Sequence, residues 1–293
     1  FDKLVGVKIK RNLDEEDFFF ESDILSSHVH NKMNYNTRLP WGIPVRYHDF
    51  RKFNALTNPK LWEFHLSYSD LDLEPKDFIS VDSSVDFVVH APELFEGSHL
   101  MDLTTPDSEY RSFSLKETQR VIDVTRKLNE IFPKTEVPLI VANIGGFSMD
   151  APLKSNEIQR RYEIFSDSLN ALDLDGVEII PQTMAPFPWH FGGQRYQNLF
   201  VKSEEILEWC AFLNLRVCFD ISHSALHCKN SNRNFIEFSK KMTPITAHIH
   251  VGDAKGVNGE GLQIGEGLID FDALSKVFSM MPESVSFIPE IWQ

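Results

Sequence analysis

The sequence predicts an α/β fold, a (β/α)₈ barrel with a small β-rich appendage at its N-terminal end. From Gly42 onward, short runs of β-branched and aromatic residues alternate with longer segments of helical period. Eight such runs occur, and eight strand–helix units in about 250 residues are typical of a closed barrel of parallel strands. The composition agrees, since 42% of the 293 residues are hydrophobic and can form one large core. An open, doubly wound sheet is the alternative arrangement of the same units.

The appendage is predicted over residues 1–41. Near the start, apolar residues alternate with Gly6, Lys8 and Lys10, which is the period of a strand. The segment LVGVKIKRNLDEEDFFFESDI, followed later by LPWGIPV, resembles the antifreeze-like (SAF) domain that closes sialic acid (N-acetylneuraminate) synthases. The resemblance covers about residues 1–44. It implies that the whole protein carries a synthase domain upstream, which condenses phosphoenolpyruvate with an N-acetylated hexose.

The barrel is predicted over residues 42–293. Its strand-like runs end near Asp49, Ser67, His90, Gly145, Gln182, His223, Val251 and Glu290. Helices are predicted over Ser114 to Phe132 and over Glu157 to Leu172, because apolar residues recur there on one face. Ser155 or Asn156 is expected to cap the second helix. The sequence ends at Gln293, before any helix could follow the eighth strand, so we expect either a longer parent protein or an appendage that covers this side.

Charge and cysteine content exclude several classes of protein. The net charge of −14 would repel a phosphate backbone, so we expect no nucleic-acid partner. We find no apolar run of roughly 18 residues and no leader, which predicts a cytoplasmic protein without a membrane span. The three cysteines are odd in number and lack paired spacing, so they are expected to be reduced core thiols.

Polar residues recur where the predicted strands end. They are His65, His90, Asn143, Gln182, Asp220, His223, His248, His250 and Glu290. Because the active site of such a barrel lies at the C-terminal ends of its strands, these side chains should face one mouth. Oxygen and nitrogen donors without thiolates suit one divalent cation such as Mn²⁺, Mg²⁺, Co²⁺ or Zn²⁺. The sequence therefore predicts a metal site at the mouth.

Motifs on the last three strands add a family resemblance. FDISH, HIHVGD, a Gly-Glu-Gly turn at 265–267 and PEIW follow one another in that order. This ordered set, over roughly residues 43–293, resembles the xylose isomerase-like barrels, which include sugar epimerases, hydroxypyruvate isomerases and abasic-site endonucleases. In the epimerase branch, Glu, Asp, His and Glu on strands five to eight hold one metal ion. The resemblance implies that Gln182, Asp220, His250 and Glu290 hold it here.

The fifth strand departs from that pattern because Gln182 stands where the family has Glu. Glu178 lies four residues earlier, about 13 Å deeper in the barrel at 3.3 Å per residue, and is expected to be structural. An amide oxygen can bind a cation, but an amide cannot shuttle a proton. The resemblance implies that both metal-binding Glu residues of the epimerases serve as acid and base, so this two-base cycle is incomplete here.

Further roles are predicted around the metal. Glu290 is expected to be the general acid or base, and His223, at a position that binds substrate hydroxyls or extra metal in the family, a second proton carrier. A loop-capping role for His223 and a solvated Lys255 remain alternatives. His248 is expected to support His250 from behind. The predicted substrate-binding residues are His65, His90, Asn143, Lys255 and Trp292.

The nuclease branch of the family fits the sequence poorly. The resemblance implies three zinc ions there, held partly by a His on strand four and an Asp-x-His before the glycine turn. Asn143 replaces the first, and Gly259 to Gly261 replaces the others.

The sequence thus predicts a metal-dependent sugar or sugar-phosphate isomerase or epimerase that acts through an enediolate. The appendage favours a protein of sialic-acid or surface-polysaccharide biosynthesis, whose partner is a small carbohydrate and which could be a homo-oligomer. Two alternatives remain. One is a non-catalytic sugar-binding barrel, and the other is a lyase or dehydratase that acts on a keto sugar and needs only one proton-transferring carboxylate.

Overall fold

The computed structural model describes residues 37–190 and 193–291. Within them, eight parallel strands form the barrel wall. They are β1 (Gly42–Val45), β2 (Leu61–His65), β3 (Asp86–His90), β4 (Leu139–Ala142), β5 (Glu178–Pro181), β6 (Val217–Asp220), β7 (Thr246–Val251) and β8 (Ser286–Pro289). Most of the predicted appendage lies outside the described residues, as does Trp292.

The eight strands close into a cylinder, which confirms the predicted barrel and rules out the open sheet. Strands β1 to β5 pair in chain order, and β6 to β8 pair in chain order as a second sheet. Parallel bridges join the two sheets on both sides, between Trp41 and Phe287 and between Gln182 and Cys218. The two sheets therefore form one continuous wall.

The junction between β5 and β6 is held by a side chain as well as by the backbone. The Thr183 amide donates to the Cys218 carbonyl oxygen at 2.9 Å. The Thr183 hydroxyl accepts from the Asp220 amide at 2.9 Å and donates to the Asp220 carbonyl oxygen at 3.2 Å. This hydroxyl thus stands in for part of the hydrogen-bond ladder that a longer strand pair would form.

Helices surround the cylinder. In the described residues they are α1 (Tyr47–Leu56), α2 (Ser108–Ile131), α3 (Ser155–Asn170), α4 (Ser203–Leu213), α5 (Ile221–Asn230), α6 (Phe235–Met242) and α7 (Phe271–Phe278). Their apolar faces pack on the outside of the strands and form the larger core. None of the described helices has both the length and the apolar character needed to cross a membrane. The three cysteines are buried and free, as predicted.

Caps explain where the predicted boundaries shift. Helix α2 begins earlier than expected, because the Asp107 side chain accepts from the amides of Glu109 and Tyr110. The cap of α3 is Lys154, not Ser155 or Asn156, because the Glu157 side chain accepts from the Lys154 amide at 3.0 Å. In each case a carboxylate satisfies amides that the first helical turn leaves unpaired.

Four strands, β1, β2, β4 and β6, end two or more residues before the predicted position, and caps explain two of these early ends. Strand β1 ends at Val45 rather than near Asp49, since the Asp49 carboxylate accepts from the Arg46 amide at 2.7 Å and helix α1 begins. Strand β6 ends at Asp220 rather than near His223, since Asp220 Oδ1 accepts from the His223 amide at 2.9 Å and caps α5. His223 therefore lies on the first turn of a helix.

The barrel interior changes from apolar to polar along its axis. One apolar layer fills it with Leu61, Val88, Val141, Ile180, Cys218, Ala247 and Ile288. Side chains two residues apart share a face of a strand, so Glu63 and His65 follow Leu61 toward the C-terminal mouth. On β5, Gln182 follows Ile180 in the same way. The apolar layer closes the floor beneath these polar residues.

Gly145 follows β4 and has a φ of +91°, a backbone conformation that is strained for any residue with a side chain. We therefore expect that replacing this glycine destabilises the protein. A Cβ there would lie 2.6 Å from the Asp102 Cα. Gly145→Ala should lower the free energy of unfolding by roughly 2–4 kcal/mol through strain and overpacking, measured by urea denaturation. Gly176→Ala is the matched control, since Gly176 has a φ of +73° and nothing within 4 Å of its added Cβ. We expect it to lose only about 1 kcal/mol, and equal losses would contradict the steric explanation.

Candidate metal and substrate site

Three predicted metal ligands come together at the mouth of the barrel. Asp220, His250 and Glu290 lie at or just after the ends of β6, β7 and β8, which are neighbours in the wall. One ligand atom of each lies within 4.8 Å of the others. His250 Nδ1 is 2.7 Å from Glu290 Oε2 and 3.9 Å from Asp220 Oδ2. The three side chains therefore surround one small volume.

Gln182 is the fourth member of this group. Its Nε2 donates to Asp220 Oδ2 at 2.9 Å and lies 3.2 Å from His250 Nδ1. All four predicted ligands therefore converge, although the amide presents its nitrogen rather than its oxygen to the other three. Once the amide is rotated by about 180° so that its oxygen faces the group, two carboxylates, an imidazole and an amide oxygen would form a donor set that fits one divalent cation.

Burial makes the charges of this group strongly interdependent. Burial raises the pKa of Asp220 to about 6, despite the nearby His223. For Glu290, burial would also raise the pKa, but His250 lowers it below its usual value. For His250, burial would lower the pKa, while Cys218, Glu290 and Glu63 raise it well above its usual value. Carboxylates held out of water in this way are stabilised by a cation.

Glu63 was missed by sequence reasoning, although it contacts this group directly. The side chain lies on β2 and is fully buried. Its carboxylate oxygens lie 2.6 Å from His248 Nε2, 3.0 Å from His250 Nε2 and 2.9 Å from His65 Nε2. Burial would raise the pKa of Glu63, but His250 and His248 lower it well below its usual value. The available signal was an acidic residue inside the apolar run LWEFH, two positions before His65.

A pocket of about 380 Å³ opens above the four predicted ligands. Its polar lining includes four of the sequence-predicted residues besides Gln182, and three that sequence reasoning did not single out. The first set is His65, His90, His223 and Glu290, and the second is Arg46, Glu93 and Glu260. The rings of His65 and His90 lie 4.8 Å apart, and that of His90 stacks 5.6 Å from His250. The pocket is thus polar and continuous with the predicted metal site.

His223 faces this pocket from the first turn of α5. Its Nδ1 lies 3.1 Å from the Thr183 carbonyl oxygen, and its Nε2 lies 3.4 Å from Glu260 Oε2. Burial would lower the pKa of His223, but Asp220 and Glu260 raise it to about 10. Its backbone amide takes part in the helix cap while its imidazole lines the pocket, so the capping and binding interpretations are compatible.

Other predicted residues lie elsewhere. The Asn143 amide is buried behind the pocket, where Oδ1 accepts from the Gly145 amide at 3.1 Å and Nδ2 donates to Glu93 Oε1 at 3.4 Å. Lys255 is exposed on a hairpin of Asp253–Lys255 with Gly259–Leu262 and is not among the described residues that line the pocket. Glu178 pairs with Arg216 at the opposite end of β5, with 2.8 Å between Oε1 and Nε.

Comparisons with known proteins agree with this architecture. The family model of the xylose isomerase-like TIM barrel matches residues 53–293. No curated protein matches the sequence significantly. Among solved structures, a D-tagatose 3-epimerase-like protein is 22% identical with a TM-score of 0.61, over 87% of this chain and 92% of that one.

Two further solved structures are similar in fold. The 3-keto-D-glucoside 4-epimerase of E. coli is 14% identical, with a TM-score of 0.58 over 87% of this chain and 93% of that one. The D-psicose 3-epimerase of Clostridium cellulolyticum H10, solved with D-tagatose, is 12% identical, with a TM-score of 0.57 over 87% and 86% of the two chains. At these identities the likeness concerns the fold.

Replacing Asp220 should test the metal site without removing a helix cap, because Asn caps helices as well as Asp does. Asp220→Asn should weaken Mn²⁺ binding by on the order of 100-fold, or about 2.8 kcal/mol, measured by isothermal titration calorimetry. Glu178→Gln makes the same chemical change away from the mouth and should bind Mn²⁺ like the unmodified protein. Unchanged binding by Asp220→Asn would contradict a role for Asp220 as a ligand.

Proposed function

Because the chain belongs to the xylose isomerase-like TIM barrel family, we propose that it is a metal-dependent isomerase or epimerase of a sugar or sugar phosphate. The observation that carries this proposal is the convergence of Asp220, His250 and Glu290 within 4.8 Å beneath an open polar pocket. Gln182 completes the group through its contacts with Asp220 and His250. Four donors from four separate strands at one depth are hard to explain as packing.

The proposed ligands are Gln182, Asp220, His250 and Glu290, and the ion is Mn²⁺, Mg²⁺, Co²⁺ or Zn²⁺. When bound, such an ion would polarise neighbouring carbonyl and hydroxyl oxygens of the substrate and stabilise the negative charge that develops on them. This would make the hydrogen on the hydroxyl-bearing carbon next to the carbonyl easier to remove as a proton. The fit rests on the donor set and on the two carboxylates, whose charge a divalent ion would balance.

Proton transfer is assigned to Glu290 and His223. Glu290 borders the pocket, and the lowered pKa keeps its carboxylate ionised at neutral pH, so an Oε atom can accept a proton from substrate carbon. His223 also lines the pocket, and the pKa of about 10 makes it a cation that can donate from Nε2 to a substrate oxygen. One base and one donor suffice to move a proton between adjacent carbons.

The pocket suits a substrate of monosaccharide size. About 380 Å³ is near the lower end of small-molecule sites, which span roughly 300–1,000 Å³. His65, His90 and Glu93 offer hydrogen-bonding groups to sugar hydroxyls, and the exposed Arg46 offers a positive charge to a phosphate or carboxylate. Asn143 would act indirectly by positioning Glu93, whereas Lys255 and Trp292 remain predictions as substrate-binding residues.

A lyase or dehydratase that acts on a keto sugar is the second candidate. It is favoured by Gln182, whose amide occupies the position of the second base in the epimerase branch and donates to Asp220. An elimination needs only one carboxylate for proton removal, and Glu290 can supply it. A non-catalytic sugar-binding barrel would use the same pocket but would exchange no substrate hydrogen with solvent, so the exchange experiment below separates it from both enzymes.

The link to sialic-acid or surface-polysaccharide biosynthesis is a narrower part of the proposal. It is supported by the resemblance of residues 1–44 to an antifreeze-like domain, and most of these residues lie outside the described part of the chain. N-acetylated hexoses and their phosphates are therefore the first substrates to test, followed by unmodified keto and aldo sugars.

Solvent exchange tests the proposed reaction without knowledge of the product. The Mn²⁺-loaded protein, incubated with this set of sugars in D₂O, should place deuterium on the carbon next to the carbonyl, as seen by NMR. Glu290→Gln keeps an oxygen for the metal but removes the base, so exchange should slow by roughly 100-fold or more. Glu178→Gln should exchange at the unmodified rate. Absence of exchange with every sugar would overturn the proposal.

Gln182→Glu separates the two candidate reactions. The new carboxylate would lie beside Asp220 and could return a proton to the face opposite Glu290. For an isomerase or epimerase, we expect the variant to form more epimer from the exchanging sugar, measured by NMR of the products. Loss of the native reaction without any epimer would instead indicate chemistry that needs the amide, and would favour the lyase.

A further inference from the structure

We propose that Glu63 is a positioning residue that orients His250 for metal binding, an inference that rests on the proposed metal site. The His250 ring lies between two carboxylates, with Nε2 3.0 Å from Glu63 Oε1 and Nδ1 2.7 Å from Glu290 Oε2. Only the Nδ1 side faces the other ligands. Glu63 contacts the opposite side of the ring.

The chemistry of imidazole gives this contact its role. A neutral imidazole carries one N–H donor and one lone pair, and a carboxylate that accepts from one nitrogen leaves the lone pair on the other. With Nε2–H donating to Glu63, the lone pair of His250 is on Nδ1, where Asp220 and Glu290 converge. Carboxylates commonly fix metal-binding imidazoles in this way.

Glu63 is itself held firmly. Its side chain is fully buried, and in the described part of the chain every ion-pair contact it makes is with a histidine. His248 Nε2 lies 2.6 Å from Glu63 Oε2, and His248 Nδ1 lies 2.6 Å from the Ser286 hydroxyl. The hydroxyl can donate to Nδ1 while Nε2–H donates to the carboxylate. The contacts of His248 with Ser286 and with Glu63 therefore hold in place the Glu63 carboxylate, which accepts the hydrogen bond from His250 Nε2.

A second cation held by Glu63, His90 and His250 is the competing interpretation, because their ligand atoms also lie within 4.8 Å of one another. The contacts of Glu63 favour orientation instead. Both carboxylate oxygens already meet imidazole nitrogens, and His250 cannot offer Nε2 to an ion while it donates from that atom. Orientation predicts one ion for each chain, whereas the competing interpretation predicts two.

The test compares Mn²⁺ binding by the intact chain, Glu63→Gln and Asp102→Asn. Asp102→Asn is the matched control, since it also turns a buried carboxylate into an amide but contacts Thr104 and Arg161 away from the ligands. We expect one ion for each chain, an affinity 10- to 100-fold weaker in Glu63→Gln, and no change in Asp102→Asn. Thermal unfolding identifies variants that lose their fold.

Each outcome decides a different claim. If the unmodified protein binds no Mn²⁺, the proposed function fails. If it binds one ion and Glu63→Gln binds as tightly, only the role of Glu63 fails, and two ions for each chain would likewise overturn it.

A spectroscopic readout covers the case in which Glu63→Gln does not fold. In the unmodified protein loaded with diamagnetic Zn²⁺, ¹⁵N NMR should show a slowly exchanging proton on His250 Nε2 and none on Nδ1. A proton on Nδ1, or none on Nε2, would overturn the assignment. If Glu63 had only a structural role, it would not determine which ring nitrogen of His250 carries the proton.

Discussion

The barrel interior shields carboxylates from water, and each of them has to be compensated by hydrogen-bond donors or by a cation. Glu63 is compensated by hydrogen bonds from two imidazoles, with the nitrogen of a third only 2.9 Å away, and Asp220 by the Gln182 amide and the His223 backbone. An uncompensated buried charge is so costly that the surrounding donors are effectively prescribed. The polar residues near the mouth therefore form one hydrogen-bonded network, in which the position of each imidazole or amide depends on a neighbouring carboxylate.

Strand parity explains why this system forms at all. In a closed barrel of parallel strands, residues at alternate positions face inward and the C-terminal ends meet at one mouth. The register pairs Asp220 with His250 and His65 with His90, so the polar residues of neighbouring strands lie at similar depth. The apolar layer beneath them closes the floor and leaves the mouth as the route to solvent.

The same parity made much of the site predictable from sequence. Parity placed a larger set of strand-end polar residues at one mouth, and the family resemblance then selected Gln182, Asp220, His250 and Glu290 among them as ligands. Glu63 was missed because it lies one inward step below the end of β2, where a single charge in an apolar run has no periodic signal.

Other features depended on information that periodicity does not carry. Arg46, Glu93 and Glu260 line the pocket from outside the strands of the wall: Arg46 is the N-cap of α1, Glu93 follows β3, and Glu260 lies on the hairpin strand Gly259–Leu262. The early ends of β1 and β6 depend on Asp49 and Asp220 acting as caps, which a local pattern of apolar residues does not distinguish from strand continuation. The orientation of the Gln182 amide likewise depends on its neighbours from other strands.

The junction between β5 and β6 links binding at the mouth to the stability of the barrel wall. Gln182 and Thr183 lie on one side of it and Asp220 on the other, and the Thr183 hydroxyl bridges the two. A ligand or ion that contacts both Gln182 and Asp220 would also hold β5 and β6 together. Conversely, local separation of these two strands would increase the distance between Gln182 and Asp220. An ion or ligand held at the mouth would therefore stabilise the wall as well, and the protein with this site filled would resist local opening more than the protein with the site empty.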